Sequence, residues 1–375
     1  MPIAVVETLY KKMKKQIAQL HNRPLSPLLW PFLPLAWAYG LGARLHNMAY
    51  ACGLAKSVRS QNVPVISIGN LTTGGTGKTP VTLSIAQGLL NLGHRVLILT
   101  RGYRARTPQS YARATNPDFG DEAYLLQQRL PDAIVITGRN RAENLQKAIA
   151  EYQPDFVLLD DGFQHRPINS HLNILLIEGD RLMGNNQLLP LGPLREPIAH
   201  INRADLILVT KTLTSSTIET VEAWVEKHCQ KPVPVVPVAF NSDGLKSVIT
   251  NKLVPSHALR QCQAVAVSGI ANPSRFERDL QSFLTFKLFK HFMFDDHHNY
   301  TRTDVEGLLV FLDECPKDTV LITTEKDWVK LKPYIPENRH QGVYMLQVSP
   351  LLDFDWFYGQ YLKPLLQKPV AVPSQ

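Results

Sequence analysis

Short runs of apolar residues recur along the first half of the chain, separated by longer stretches with helical spacing. Residues 63–68 (VPVISI), 95–100 (RVLILT), 155–160 (DFVLLD), 172–177 and 205–210 read as buried strands, and a helix is expected from about residue 78 to 92. Alternating βα units predict a parallel, doubly wound sheet whose ligands gather at the carboxyl ends of the strands. From about Lys211, Pro- and Val-rich turns lead into a second, smaller α/β domain. Its strands are expected near 264–267 and 320–323, and its helices near 273–283 and 302–313. Residues 351–366 are expected to return as a helix to the first domain. The expected division is thus 1–62, 63–210, 211–350 and 351–375.

The N-terminus has a different pattern. Val5, Val6, Leu9, Met13, Ile17 and Leu20 recur at helical spacing with lysines on the other face. Residues 24–43 carry no charge, but Pro24, Pro27, Pro31 and Pro34 are expected to break any regular helix there. A membrane span would leave the freed carbonyls without partners in hydrocarbon. A signal peptide is disfavoured because the apolar run starts late and no clean small-residue cleavage site follows. An interfacial anchor fits better, with Trp30, Phe32, Trp37 and Tyr39 at the headgroup boundary. A hairpin buried against the rest of the chain is the bland alternative.

Charge supports the anchor. Residues 1–62 hold eight Lys and Arg against the single acid Glu7, so they carry nearly all of the net charge of +8. A uniformly basic nucleic-acid binder does not look like this. The expected anionic partner is a membrane surface, with no nucleic acid and no protein partner implied. The four cysteines are widely spaced and form no CxxC pair, so no zinc site or disulfide framework is suggested.

The first strand is followed by GNLTTGGTGKT and then the helix. Strand, glycine-rich loop and helix is the context of a phosphate loop. Thr73, Gly74, Gly75, Thr76, Gly77, Lys78 and Thr79 are the candidate ATP contacts. The glycines let backbone N–H groups face phosphate, Lys78 supplies charge to the β- and γ-phosphates, and Thr79 offers a hydroxyl to Mg²⁺. Thr72 stands where the strict pattern has glycine. A MinD-like regulatory ATPase is the alternative, but its signature lysine would fall at Thr73. Asp160 and Asp161 end a buried strand and are candidate metal ligands.

Phosphoryl transfer also needs an acceptor-orienting base and positive charge on the transferred group. Candidates follow the strand ends: Tyr103, Asp121 and Glu122, Arg139 and Arg141, His165, the Arg195–Glu196 pair, and the 294–300 run FDDHHNY with His297 and His298. Each also has a dull reading as a helix cap, a surface pair or a solvated loop residue.

The ordered series GNLTTGGTGKTP, LTRGYR, GDEA, LLDDGFQH, LLPLGPLREP, DHHNYT and TTEKDWVKL resembles the tetraacyldisaccharide 4′-kinase family across nearly the whole chain. The resemblance implies transfer of the γ-phosphate of ATP to the 4′-hydroxyl of a tetraacyldisaccharide 1-phosphate, giving lipid IVA at the cytoplasmic face of the inner membrane. It implies that Asp121 deprotonates or orients that hydroxyl with His297 as its partner, and that Asp161 serves the metal with Asp160 beside it. Tyr103, Arg141, His165, Arg195 and Glu196 are then substrate or network contacts, with the choice between Arg139 and Arg141 left open. Because Lys78 and His297 fall in different domains, the active site is expected in a cleft between them.

Overall fold

Strands β1 (Val65–Gly69), β2 (Val96–Thr100), β5 (Phe156–Asp160) and β7 (Leu206–Thr210) are buried along their whole length. That explains their uninterrupted apolar sequences: strands covered on both faces need no polar alternation. With β4 (Ile134–Thr137) and β6 (Leu172–Glu178) they pair in parallel, in the order β7-β6-β1-β5-β2-β4. A two-residue strand, β3 (Ala112–Arg113), closes the edge antiparallel to β4. The protein is seen here as a computed structural model, which describes residues 21, 27–102, 110–211, 214–259, 262–270, 272–283, 288–296 and 298–367.

The sheet does not stop where the first half of the chain stops. Strand β8 (Val235–Ser247) begins parallel to β7 through Val235–Val238 and continues antiparallel to β13 (Val343–Leu351) from Ala239 onward. Beyond β13 lie β12 (Thr319–Thr324), β10 (Gln263–Ser268) and β11 (Leu288–Met293), all parallel, and the short β9 (Leu253–Val254) pairs with β8. One sheet of 13 strands therefore runs through both halves.

Helices cover its faces. In the first half they are α1 (Leu33–Ala51), α2 (Lys78–Asn91), α3 (Asp121–Arg129), α4 (Arg141–Tyr152) and α5 (Ser215–His228). In the second half they are α6 (Pro273–Phe283), α7 (Arg302–Asp313) and α8 (Glu325–Leu331). Val221 and Val225 of α5 pack with Leu175, Ile207 and Val209 of the first half's core. On that packing we place the division between the halves within β8 rather than near Lys211.

The last described segment packs on the first half. Helix α9 (Phe354–Phe357) continues through a π-helical stretch, Tyr358–Leu362, into α10 (Lys363–Gln367). Phe357 and Leu362 are fully buried in the core that contains Ile66, Ile85 and Phe156. Gly88 of α2 makes room for this segment: a Cβ there would stand 2.3 Å from the Phe354 ring. Phe357→Ala should lower unfolding free energy by about 3 kcal/mol or more, since it removes a fully enclosed aromatic ring. Chemical denaturation checks this, and a loss under about 1 kcal/mol would mean the tail is not part of the core.

The proline-rich segment is more regular than its composition suggests. Pro31 lies in a 3₁₀ turn, Pro27–Phe32, and Pro34 falls in the first turn of α1. There a missing N–H costs no helical hydrogen bond, so the prolines start the helix instead of breaking it. Leu29 and Ala36 pack against Leu191, and Gly40 approaches Leu188. The expected amphipathic helix at 4–20 lies outside the described residues. No helix among the described residues is long and apolar enough to cross a membrane.

Candidate active site

The loop from Asn70 to Gly77 joins the carboxyl end of β1 to α2. Gly77 takes a left-handed φ of 91° and caps the helix, which explains why that position is glycine. A Cβ there would also meet the Phe240 ring of β8 at 2.7 Å. Thr210 at the end of β7 donates its hydroxyl to the Thr76 carbonyl at 2.8 Å, and Thr73 N–H donates to the Pro193 carbonyl at 2.7 Å. The loop is thus shaped from three sides, with the α2 N-terminus and Lys78 at its end.

Lys78 donates to Asn70 Oδ1 at 3.1 Å and lies 3.5 Å from Asp161. Asp161 itself sits in left-handed backbone, φ 51°, just past β5. Arg195 reaches both of its carboxylate oxygens at 3.0 Å and Gln164 Oε1 at 3.1 Å. Burial opposes ionisation of Asp161, but Lys78, Arg195 and Arg141 together hold its carboxyl below the usual range. Asp160 behaves oppositely. Burial, then the charges of Glu122 and Asp161, push it up to about 7, although Lys78 and a hydrogen bond from Thr82 (3.1 Å) act the other way. Asp160 and Asp161 thus stand side by side next to Lys78. Their hard oxygen donors suit Mg²⁺, which takes one or two carboxylates together with substrate phosphates. No group of three or more His, Cys, Asp or Glu side chains gathers as an all-protein cage among the described residues.

Arg141 rather than Arg139 belongs to this site. It is 5% exposed and donates to the carbonyls of Asp160 (3.1 Å) and Asp161 (3.2 Å), whereas Arg139 is exposed. Its guanidinium therefore holds the turn that carries both acids. His165 lies beneath: burial, then Arg141 and Arg101, push its pKa down to about 3, so the imidazole is neutral at ordinary pH. Glu196 is buried and taken up by His200 and Arg203, both at 2.6 Å. Its carboxylate braces the loop beside Arg195.

That loop is also tied to α1. Tyr39 OH donates to the Arg195 carbonyl at 2.7 Å, and Arg203 donates to Asn47 Oδ1 at 2.6 Å. Asp121 opens α3, whose Glu122 is close enough to act on Asp160. From the other half, Lys330 of α8 comes within 3.1 Å of Asp121 Oδ2. Tyr103 and His297 lie outside the described residues. Sequence reasoning missed Asn70, Asn47, Arg203 and Lys330, and singled out Tyr39 only as a headgroup anchor. Lys330 does stand within the TTEKDWVKL motif, but the residue it meets is more than two hundred positions away.

A lysine-bearing glycine loop at the end of a parallel sheet, with paired acids on the neighbouring strand, defines a P-loop nucleotide enzyme. The profile of the tetraacyldisaccharide-1-P 4′-kinase family matches residues 28–360. A tetraacyldisaccharide 4′-kinase from Chlorobium phaeovibrioides is 34% identical over 346 residues, covering 89% of this chain and 95% of that protein. One from Syntrophotalea carbinolica is 35% identical over 321 residues, 82% of this chain and 86% of that protein. A crystal structure of LpxK from Aquifex aeolicus in complex with ATP superposes with a TM-score of 0.71 at 28% identity, covering 90% of this chain and 99% of that one. The chain belongs to the tetraacyldisaccharide-1-P 4′-kinase family. It is an ATP-dependent kinase of lipid A biosynthesis, as its motifs lead one to expect.

Proposed function

We propose that the site transfers the γ-phosphate of ATP to the 4′-hydroxyl of a tetraacyldisaccharide 1-phosphate by direct in-line displacement, giving lipid IVA. The observation that carries this is the meeting of Lys78, the Asp160–Asp161 turn and the α3 N-terminus at one end of the sheet. The acceptor oxygen bonds to Pγ as the bond from Pγ to the departing ADP oxygen breaks. The acceptor proton passes to Asp121, with His297 as the partner implied by the family. Lys78 and the loop amides stabilise charge on the β- and γ-phosphates. Arg195, held on Asp161, is placed for the transferred group, and Arg141 and Glu196 keep the acids and Arg195 in position. Tyr103 and His165 are assigned to the acceptor side on the family pattern. Thr79, Asp160 and Asp161 would hold Mg²⁺, which when bound neutralises phosphate charge. A MinD-like switch gains no support from the family match. Incubation with labelled ATP and the lipid disaccharide should label the 4′ position. Label elsewhere on the sugar, or none on the lipid, would overturn the acceptor assignment.

The same reading places the enzyme at the cytoplasmic face of the bacterial inner membrane. The face of α1 turned away from the protein exposes Trp37 (76%), Leu41 (59%), Leu45 (50%) and Met48 (55%), and Trp30 precedes it at 57%. Such a contiguous apolar face with aromatic residues suits an interface. Replacing Trp30, Trp37 and Leu41 together by serine should strongly reduce co-sedimentation with anionic vesicles. Neutralising Lys11, Lys12, Lys14 and Lys15 should reduce it partly, by about 1 kcal/mol per residue at low salt and less at high salt. Unchanged sedimentation of both variants would move the anchor elsewhere.

A further inference from the structure

Among the described residues three ion pairs cross the seam between the halves, all from α3 to α8: Asp121–Lys330 at 3.1 Å, Glu122–Lys326 at 2.7 Å and Arg129–Glu325 at 2.5 Å. They are not equivalent. The Lys330 side chain is only 6% exposed, and its ammonium also donates to the His298 carbonyl at 3.3 Å. A cation so far from water is costly unless its partners are fixed. Here they are. Thr324 caps α8 by accepting from Asp327 N–H, and Asp327 Oδ2 accepts from Gly269 N–H at 3.0 Å, tying the helix to the end of β10. The lysine is therefore delivered by a braced element to the one carboxylate assigned as the acceptor base.

We propose that Lys330 is a positioning residue for phosphoryl transfer: it donates to Asp121 Oδ2, supplies the counter-charge, and turns Oδ1 toward the acceptor hydroxyl. This rests on the assignment of Asp121 as the base. During transfer the acceptor O–Pγ bond forms, the Pγ–O bond to ADP breaks, the hydroxyl proton moves to Asp121, and Lys330 keeps its own protons. The second half of the chain then contributes a charge to the chemistry as well as a wall to the cleft. The Arg129–Glu325 pair, by contrast, only fastens the seam.

The test uses full-length enzyme with Mg²⁺-ATP and the lipid disaccharide. Lys330→Met should lower kcat by about 10–10²-fold while KM for either substrate changes less than about threefold. Lys330→Arg should recover most of the loss, and Glu325→Gln should stay within about threefold of wild type. On an Asp121→Ala background, Lys330→Met should cost nothing further, because residues acting as a unit are not additive. Should the methionine variant not fold, Lys330→Gln carries the same expectations. The inference fails if Lys330→Met keeps kcat, changes KM alone, matches the loss in Glu325→Gln, or multiplies the loss of Asp121→Ala. An Asp121→Ala enzyme with full kcat would sink the base assignment and this inference with it. Loss in Asp121→Ala with none in Lys330→Met would sink this inference alone.

Discussion

Lys78→Ala is expected to reduce kcat by about 10³-fold or more in enzyme that still folds, which is about 4 kcal/mol of lost transition-state stabilisation. The lysine is the cation carried by the glycine loop itself, and its ammonium is already oriented by Asn70 Oδ1 at 3.1 Å and by Asp161 at 3.5 Å. Arg195 is already engaged, since one of its nitrogens donates to both Asp161 oxygens and to Gln164 Oε1. Removing Lys78 also leaves the buried Asp160 without its main opposing charge. The variant should therefore melt somewhat lower but still cooperatively, and lose turnover far beyond what that loss of stability explains. Steady-state phosphorylation assays on the folded variant decide it, and near-normal activity would refute the nucleotide-site assignment.

The second large effect is expected at Asp121. Asp121→Ala should lower kcat by about 10²–10⁴-fold with a much smaller change in KM for ATP, because a base acts mainly in the transition state. Its position at the first residue of α3 favours a carboxylate electrostatically in any case, so a purely structural role would appear as lost stability with kcat retained. His297→Ala should give a loss of the same order. If the two side chains form one unit, the double variant should be little worse than the poorer single one. Multiplicative losses would separate their roles.

Much of this was legible in the sequence because the signals are local. GGTGKT after a buried run fixes strand, loop and helix within about fifteen residues, and β1 and α2 form there. The same holds for 155–161, where apolar residues end in two acids and β5 ends at Asp160. What the sequence could not show is long-range. Asp160 and Asp161 diverge because Asp160 is buried near the charge of Glu122 whereas Arg195 grips Asp161, and neither neighbour is near in the chain. Glu196 reads as a substrate or network contact, and only the fold shows that Arg203 and His200 take up its carboxylate. The prolines of 27–34 break a helix only in its interior: at a helix start they are tolerated, and α1 begins among them.

Strand β8 has a mechanical consequence. A linker of free loop would let the second half swing without disturbing the first. Here the connection is one extended strand, laddered to β7 at its start and to β13 along the rest. Such a joint behaves as a leaf spring: it twists over many residues and has no single pivot. Phe240 lies just past the point where its partner changes from β7 to β13, and the Phe240 ring rests against Gly77. Any flexing of this strand would therefore be felt at the phosphate loop, because the Phe240 ring leaves Gly77 no room.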